Sequence, residues 1–161
     1  MHILHAVLSS CIMKLDPSNN DAISSVGDNL GGREHKYVGT VIGVDGYLYG
    51  IPSYSSNRIL KYDPINDITS FFVGEEAEGD FECYSNGALG RDGCIYALAI
   101  GDRILKIDTI NNSHSFIENS IQSDHRGPGW GDAILGIDSC IYWPPSGARR
   151  TLKYDPHSNQ I

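Results

Sequence analysis

One six-residue phrase recurs four times along this chain. It reads Ile12-Met-Lys-Leu-Asp-Pro17, then Ile59-Leu-Lys-Tyr-Asp-Pro64, Ile104-Leu-Lys-Ile-Asp-Thr109 and Thr151-Leu-Lys-Tyr-Asp-Pro156. Its lysines, Lys14, Lys61, Lys106 and Lys153, fall at intervals of 47, 45 and 47 residues. A steady period in that range is the signature of a repeat array, in which each unit buries its apolar face on its neighbours. The repeat therefore constrains the fold far more than any single motif does.

The second repeat is the cleanest. Gly39–Val44 is β-branched and apolar, as a strand requires. Asp45-Gly46 follows, a hairpin signal that predicts a type I′ turn with positive φ at both residues. Tyr47–Ile51 reads as a second strand and Pro52–Asn57 as a loop. Arg58–Tyr62 reads as a third strand. The turn Asp63-Pro-Ile-Asn66 has Asp and Pro where a type I turn prefers them. Ile68–Val73 completes a four-stranded meander. No segment carries sustained helical periodicity.

A meander repeating every 45 to 47 residues predicts β-propeller blades, packed face to face around an axis. The expected units are a partial blade over 1–30, full blades over 37–74 and 84–118, and a partial blade over 130–161. The first lacks its first strand and the last lacks its fourth, which makes fourteen strands in all. The expected fold is all-β, an open arc of two full and two partial blades. Such an arc implies a fragment of a longer propeller protein, or a ring completed by further blades from another chain. A second phrase keeps register with the first. Tyr37, Tyr84 and Trp130 each stand eight residues before a turn aspartate, Asp45, Asp92 or Asp138, and they are expected to fill the wedge between blades.

The 161 residues suffice for one domain with a real core, since roughly two thirds of the unfolded surface is buried at this size. A net charge of −8 argues against nucleic acid and against an anionic membrane surface, both of which need positive charge. No apolar run is long enough for a transmembrane helix. The opening residues lack a basic n-region and fall where the repeat predicts a strand, so they read as structure, not leader. Cys11, Cys83, Cys94 and Cys140 have no paired spacing, which points to a reducing, intracellular and cytoplasmic setting and away from zinc. Cys94 and Cys140 share one repeat position, where the second repeat has Tyr47, and read as packing residues.

The strings Asp45-Gly-Tyr-Leu-Tyr49 and Asn57-Arg-Ile-Leu-Lys-Tyr-Asp-Pro64 resemble NHL-type repeats. They are also similar to blades of the virginiamycin B lyase and gluconolactonase-like propellers. In wording they come closest to uncharacterised propeller repeats of algae and protists. The Asp-Pro-x-Asn turn resembles kelch repeats, although Ile51-Pro52, Leu98-Ala99 and Pro144-Pro145 stand where kelch has paired glycines. The resemblance covers nearly the whole chain and lies on scaffold positions. It implies a propeller; such propellers serve as lyases, hydrolases, oxidases and binding modules, so fold does not settle activity.

Residues shared by all repeats are explained by blade geometry. The turns between strands one and two, and between three and four, lie on one face of the disc and are uniform in wording. The loops between strands two and three, and from blade to blade, lie on the other face and vary. Function is expected there, because loops over a rigid scaffold carry binding residues. The candidate face comprises Glu78, Asp80 and Glu82 in one inter-blade loop, with Asp124, His125, Arg126, Trp130 and Asp132 in another. The acidic run has the oxygens a Ca²⁺ ion prefers, but no Asp-x-Asp-x-Asp-Gly loop, and a solvated loop is the simpler account. Asp124-His125 has acid–base chemistry, though adjacent loop residues rarely face one another. No nucleophile elbow, phosphate loop or cofactor fingerprint occurs. Each repeated lysine is followed two residues later by an aspartate on the same strand face, and these pairs are expected to bridge at the blade periphery.

The expectation is thus a binding module without cofactor or metal, taking a protein or a small polar ligand on its variable face. The alternatives are a propeller enzyme of the lyase or hydrolase type, with its site at the channel mouth, or an inactive fragment.

Overall fold

A computed structural model describes residues 4–7, 11–31, 36–53, 56, 58–71, 83, 85–99, 103–118 and 129–161. Four antiparallel sheets follow one another along the chain. Blade 1 contains β1 (Leu4–Val7), β2 (Ile12–Asp16) and β3 (Ala22–Val26). Blade 2 contains β4 (Tyr37–Ile42), β5 (Leu48–Pro52), β6 (Leu60–Asp63) and β7 (Ile68–Phe71). Blade 3 contains β8 (Ala88–Leu89), β9 (Cys94–Ala99), β10 (Arg103–Asp108) and β11 (Ser113–Ile117). Blade 4 contains β12 (Ile134–Leu135), β13 (Ile141–Trp143) and β14 (Leu152–Tyr154). Every sheet is a sequential meander. The described residues hold fourteen strands in a three, four, four, three pattern, a partial propeller left open.

The strands order themselves by what covers them. The first strands β4, β8 and β12 lie side by side, as the inner strands of a propeller do. β5 and β9 are buried at every position, because a blade packs on each of their faces. β3 and β7, at the outer edges, are mostly exposed and carry Ser24, Ser25, Thr69 and Ser70.

Three apolar layers fill the spaces between blades. Ile12 meets Leu48, Leu60 and Tyr62 between blades 1 and 2. Tyr49, Ile51 and Ile59 meet Ile95, Ala97, Leu105 and Ile107 between blades 2 and 3. Tyr96, Leu98 and Ile104 meet Ile141, Trp143, Leu152 and Tyr154 between blades 3 and 4. The period of two along β9 sends Ile95, Ala97 and Ala99 one way and Cys94, Tyr96 and Leu98 the other. Each fully buried side chain of this size contributes about 1.5–3 kcal/mol relative to exposure.

The hairpin turns differ from the type I′ expectation. Gly46 and Gly93 have φ of 81°, and Ser139 has 69°, but the preceding aspartates do not enter the left-handed region. Gly46 donates from its N–H to the Gly43 carbonyl at 3.1 Å, and Gly43 donates to the Tyr47 carbonyl at 2.9 Å. Blades 3 and 4 repeat these bonds from Gly90 and Gly136. Each is a type I turn followed by one left-handed residue, the longer hairpin solution. The physical reason is the glycine two residues before each aspartate. A Cβ on Gly43 would stand 2.6 Å from both Asp45 Oδ1 and Tyr49 Cε2, and Gly136 meets the equivalent pair at 2.5 and 2.6 Å.

The lysine pairing also differs. Lys61 bridges Asp45 at 3.0 Å, and Lys153 bridges Asp138 at 3.0 Å. Neither takes the aspartate two residues on, because those carboxylates are occupied. Asp63 accepts from the Ile65 and Asn66 N–H groups at 2.8 and 3.1 Å and from the Asn66 carboxamide at 2.7 Å. Asp108 makes the same three bonds with Ile110 and Asn111. Asp16 and Asp155 cap their turns through Ser18, and through His157 and Ser158.

Candidate functional site

The uniform face carries a repeated three-residue network. Tyr49 donates its hydroxyl to Asp45 Oδ2 at 2.7 Å, Tyr96 to Asp92 at 2.6 Å and Tyr142 to Asp138 at 2.7 Å. Each tyrosine stands four residues after its aspartate, so the bond ties the first hairpin turn to the second strand. In blades 2 and 4 the repeated lysine closes the network from the third strand. Sequence reasoning missed this role for the tyrosines, although the signal was present in Asp-x-x-[Leu/Ile]-Tyr at 45–49, 92–96 and 138–142.

Tyr49, Tyr96 and Asp138 are held far from proton exchange at neutral pH. Burial, then the Asp45 carboxylate, raises the Tyr49 hydroxyl well above the ordinary phenol range. Tyr96 is raised by burial and then by Asp92. The Tyr142 hydroxyl and then Lys153 hold Asp138 well below the carboxylate range. Burial pushes the Cys94 thiol up to about 11, so it stays protonated. Tyrosines that keep their protons, as Tyr49 and Tyr96 do, and a carboxylate that keeps its charge, as Asp138 does, suit a scaffold better than an acid–base pair.

Two cavities open among these turns. One of about 660 Å³ lies between the turns of blades 3 and 4, against Arg91, Asp92, Asp138, Ser139, Asp155 and His157. Another of about 400 Å³ lies beside Tyr47, Lys61, Asp63, Phe71 and Asn112. All three carboxylates of the larger one already accept structural hydrogen bonds. Among the described residues no group of three His, Cys, Asp or Glu side chains is placed to hold a metal ion. No helix among them is long and apolar enough to cross a membrane.

Of the residues expected on the variable face, Glu78, Asp80, Glu82, Asp124, His125 and Arg126 lie outside the described residues, as does Tyr84. Trp130 and Asp132 are described. Trp130 is buried in the layer between blades 3 and 4, and its indole N–H donates to the Arg150 carbonyl at 2.9 Å. Tyr37 packs against the layer between blades 1 and 2. Asp132 accepts from the Asn86 backbone N–H at 2.8 Å. Asn86 in turn accepts from the Ala133 N–H at 3.1 Å and reaches the Thr40 carbonyl of β4 at 3.5 Å. One asparagine thus stitches blades 2, 3 and 4. Gly39 makes room for it, since a Cβ there would stand 2.3 Å from Asn86 Cγ.

Beneath this face the Gly129 carbonyl accepts from the N–H groups of Ser146, Gly147 and Ala148 at 2.9, 3.0 and 2.7 Å, which pins the 144–150 loop to the strand entry. Two buried polar atoms, Ser85 Oγ and Trp143 Nε1, have no hydrogen-bond partner among the described residues. Gly39, Asn86 and Asp132 occupy one repeat position with three different residues, unlike the repeated network opposite.

No protein-family model and no curated protein matches the chain by sequence. Solved structures match its shape. A catalytically inactive virginiamycin B lyase from Staphylococcus aureus, with quinupristin, aligns at a TM-score of 0.63 and 16% identity, over 94% of this chain and 51% of that one. A streptogramin B lyase aligns at 0.59 and 16%, over 94% and 49%. An auxiliary nutrient binding protein from Bacteroides ovatus aligns at 0.66 and 14%, over 98% and 37%. The chain therefore spans about half the length of the lyases it matches. At these identities the likeness shows the fold, a β-propeller arc, and nothing of activity.

Proposed function

We propose that this chain is a β-propeller binding module that takes a small polar ligand or a protein on its variable-loop face. The observation that carries the reading is the contrast between the two faces. The described polar groups that recur at equivalent turns of the uniform face are committed to one another, by Asp–Tyr bonds and by turn-capping aspartates. The unrepeated charged residues, Glu78, Asp80, Glu82, Asp124, His125 and Arg126, stand in the sequence segments that the repeat assigns to the opposite loops. Rigid blades that hold variable loops are the usual arrangement of a binding surface. A nutrient binding protein among the structural neighbours supports the same reading.

A second reading, a propeller lyase with its site at the channel mouth, draws on the lyases among the neighbours. His125 is the acid–base candidate within the proposed loops.

A thermal-shift screen of sugars, amino acids and nucleosides, followed by calorimetric titration of any hit, tests both. Replacing Glu78, Asp80 and Glu82 together by alanine should abolish binding, and Asp155→Asn on the uniform face should leave it intact. The reverse pattern would place the site on the uniform face and defeat the proposal. Turnover of a bound hit that is lost in His125→Ala, with binding retained, would favour the enzyme.

A further inference from the structure

We propose that two copies of this chain pair head to tail, the open face of blade 4 in one copy covering the open face of blade 1 in the other. The inference concerns assembly and stands independently of the ligand reading.

The chain displays its own docking rule. The face of blade 2 that carries Val41, Tyr49 and Lys61 is covered by blade 3. There Leu105 and Ile107 join Tyr49 in one apolar layer, with Val41 packed against it. Lys61 donates to Asn112 Oδ1, in the second hairpin turn of blade 3, at 3.0 Å.

Blade 4 presents the same face with nothing of the described residues upon it. Ile134 pairs with Tyr142 across β12 and β13, as Val41 pairs with Tyr49 across β4 and β5. Ile134 is 57% exposed. Lys153 stands at the position of Lys61, its side chain 52% exposed against 16%, and Asp138 is 41% exposed against 21% for Asp45. The network is built, and among the described residues nothing covers it.

Blade 1 presents the complement. In the repeated phrase, Met13 and Leu15 stand where blade 3 has Leu105 and Ile107. Ile12 points into the layer with blade 2, so strand alternation turns Met13 and Leu15 to the open side. Leu15 pairs with Ile23, which is 66% exposed. Counted from the repeated aspartate, Asn20 stands where blade 3 has Asn112, in a turn one residue longer and in the same left-handed conformation, with φ of 51° against 54°. The acceptor that Lys61 finds within the chain is thus available to Lys153 from a second copy.

Two such contacts, each joining unlike faces, close a two-fold ring if the curvature matches and extend into a filament if it does not. Two copies carry eight blades, four of four strands and four of three, within the usual range of about four to eight. They also supply about the length of one lyase neighbour, of which this chain covers 51%.

Sedimentation equilibrium or native mass spectrometry on the 161-residue chain tests the proposal. The expected species has twice the 17.6 kDa mass of one chain and does not grow further with concentration. Ile134→Arg and Ile23→Arg alter exposed side chains on the two faces, and circular dichroism verifies that both variants fold. Each alone should be monomeric. Mixed one to one, they should regain part of the two-chain species, because one intact contact remains. Three results would overturn the proposal: a wild-type monomer at every soluble concentration, growth into open polymers, or a dimer lost in one variant and kept in the other.

Discussion

The Asp45–Tyr49–Lys61 and Asp138–Tyr142–Lys153 networks are built from the same residue types at the same repeat positions, with hydroxyl bonds of 2.7 Å and ion pairs of 3.0 Å in both. They differ in what lies over them. Blade 3 covers the first, and Tyr49 is fully buried. Among the described residues nothing covers the second, and Tyr142 remains half-exposed. The bonds are therefore a property of the single blade, and the desolvation that strengthens them is a property of the stack. Polar pairs in high dielectric contribute little, while the same pairs under an apolar layer are costly to break.

The largest effect should come from the covering layer itself. Leu105→Ala removes part of the surface that seals Tyr49 and should lower unfolding stability by about 2–5 kcal/mol in urea titration. Ile134→Ala, on the open face of blade 4, should stay within about 0.5 kcal/mol in the monomeric chain. Equal costs would erase the distinction between the two blades.

Next is the hydroxyl. Tyr49→Phe leaves Asp45 short of a donor inside the stack and should cost about 1–3 kcal/mol. Tyr142→Phe in the monomeric chain should leave the urea midpoint nearly unchanged. A larger loss at Tyr142 would mean that the bond, not its burial, carries the stability.

The smallest effect is acid-dependent and should be the same in unlike blades. Turn hydrogen bonds from Ser18 to Asp16, and from Asn111 to Asp108, hold both carboxyls below the ordinary range. A carboxyl depressed in the folded state stabilises it above the unfolded pKa of about 3.9, and that contribution is lost as pH falls through the folded value. Asp16→Asn and Asp108→Asn should each flatten the loss of stability below about pH 4, and by similar amounts, since hydrogen bonds from within its own turn hold each carboxyl. A flattening in blade 3 alone would tie these turns to stacking.

The repeat period made the blades legible. Fourteen strands in four meanders follow from the spacing of Lys14, Lys61, Lys106 and Lys153, because a period near 45 residues leaves room for four short strands and their turns. The turn chemistry was less legible. Asp45-Gly46 is a statistical sign of a two-residue turn, yet Gly43 lets Asp45 and Tyr49 close over the backbone, and the turn lengthens to suit. Strand alternation points Lys61 and Lys153 to the wrong aspartates because it tells which residues share a face and not which carboxylates the turns have already used. Trp130 and Asp132 were legible as inter-blade residues only by register. Their partners, the Arg150 carbonyl and the Asn86 N–H, are backbone groups distant in sequence, which no spacing rule reveals.

Amide hydrogen exchange on the monomeric chain tests most directly the claim that coverage by a following blade separates the two networks. β5 and β13 are equivalent strands, one covered on both faces and one, among the described residues, on a single face. The amides of Tyr49–Ile51 should exchange only through global unfolding, while those of Tyr142 and Trp143 should exchange far sooner through local opening. Equal protection in the two strands would contradict the account.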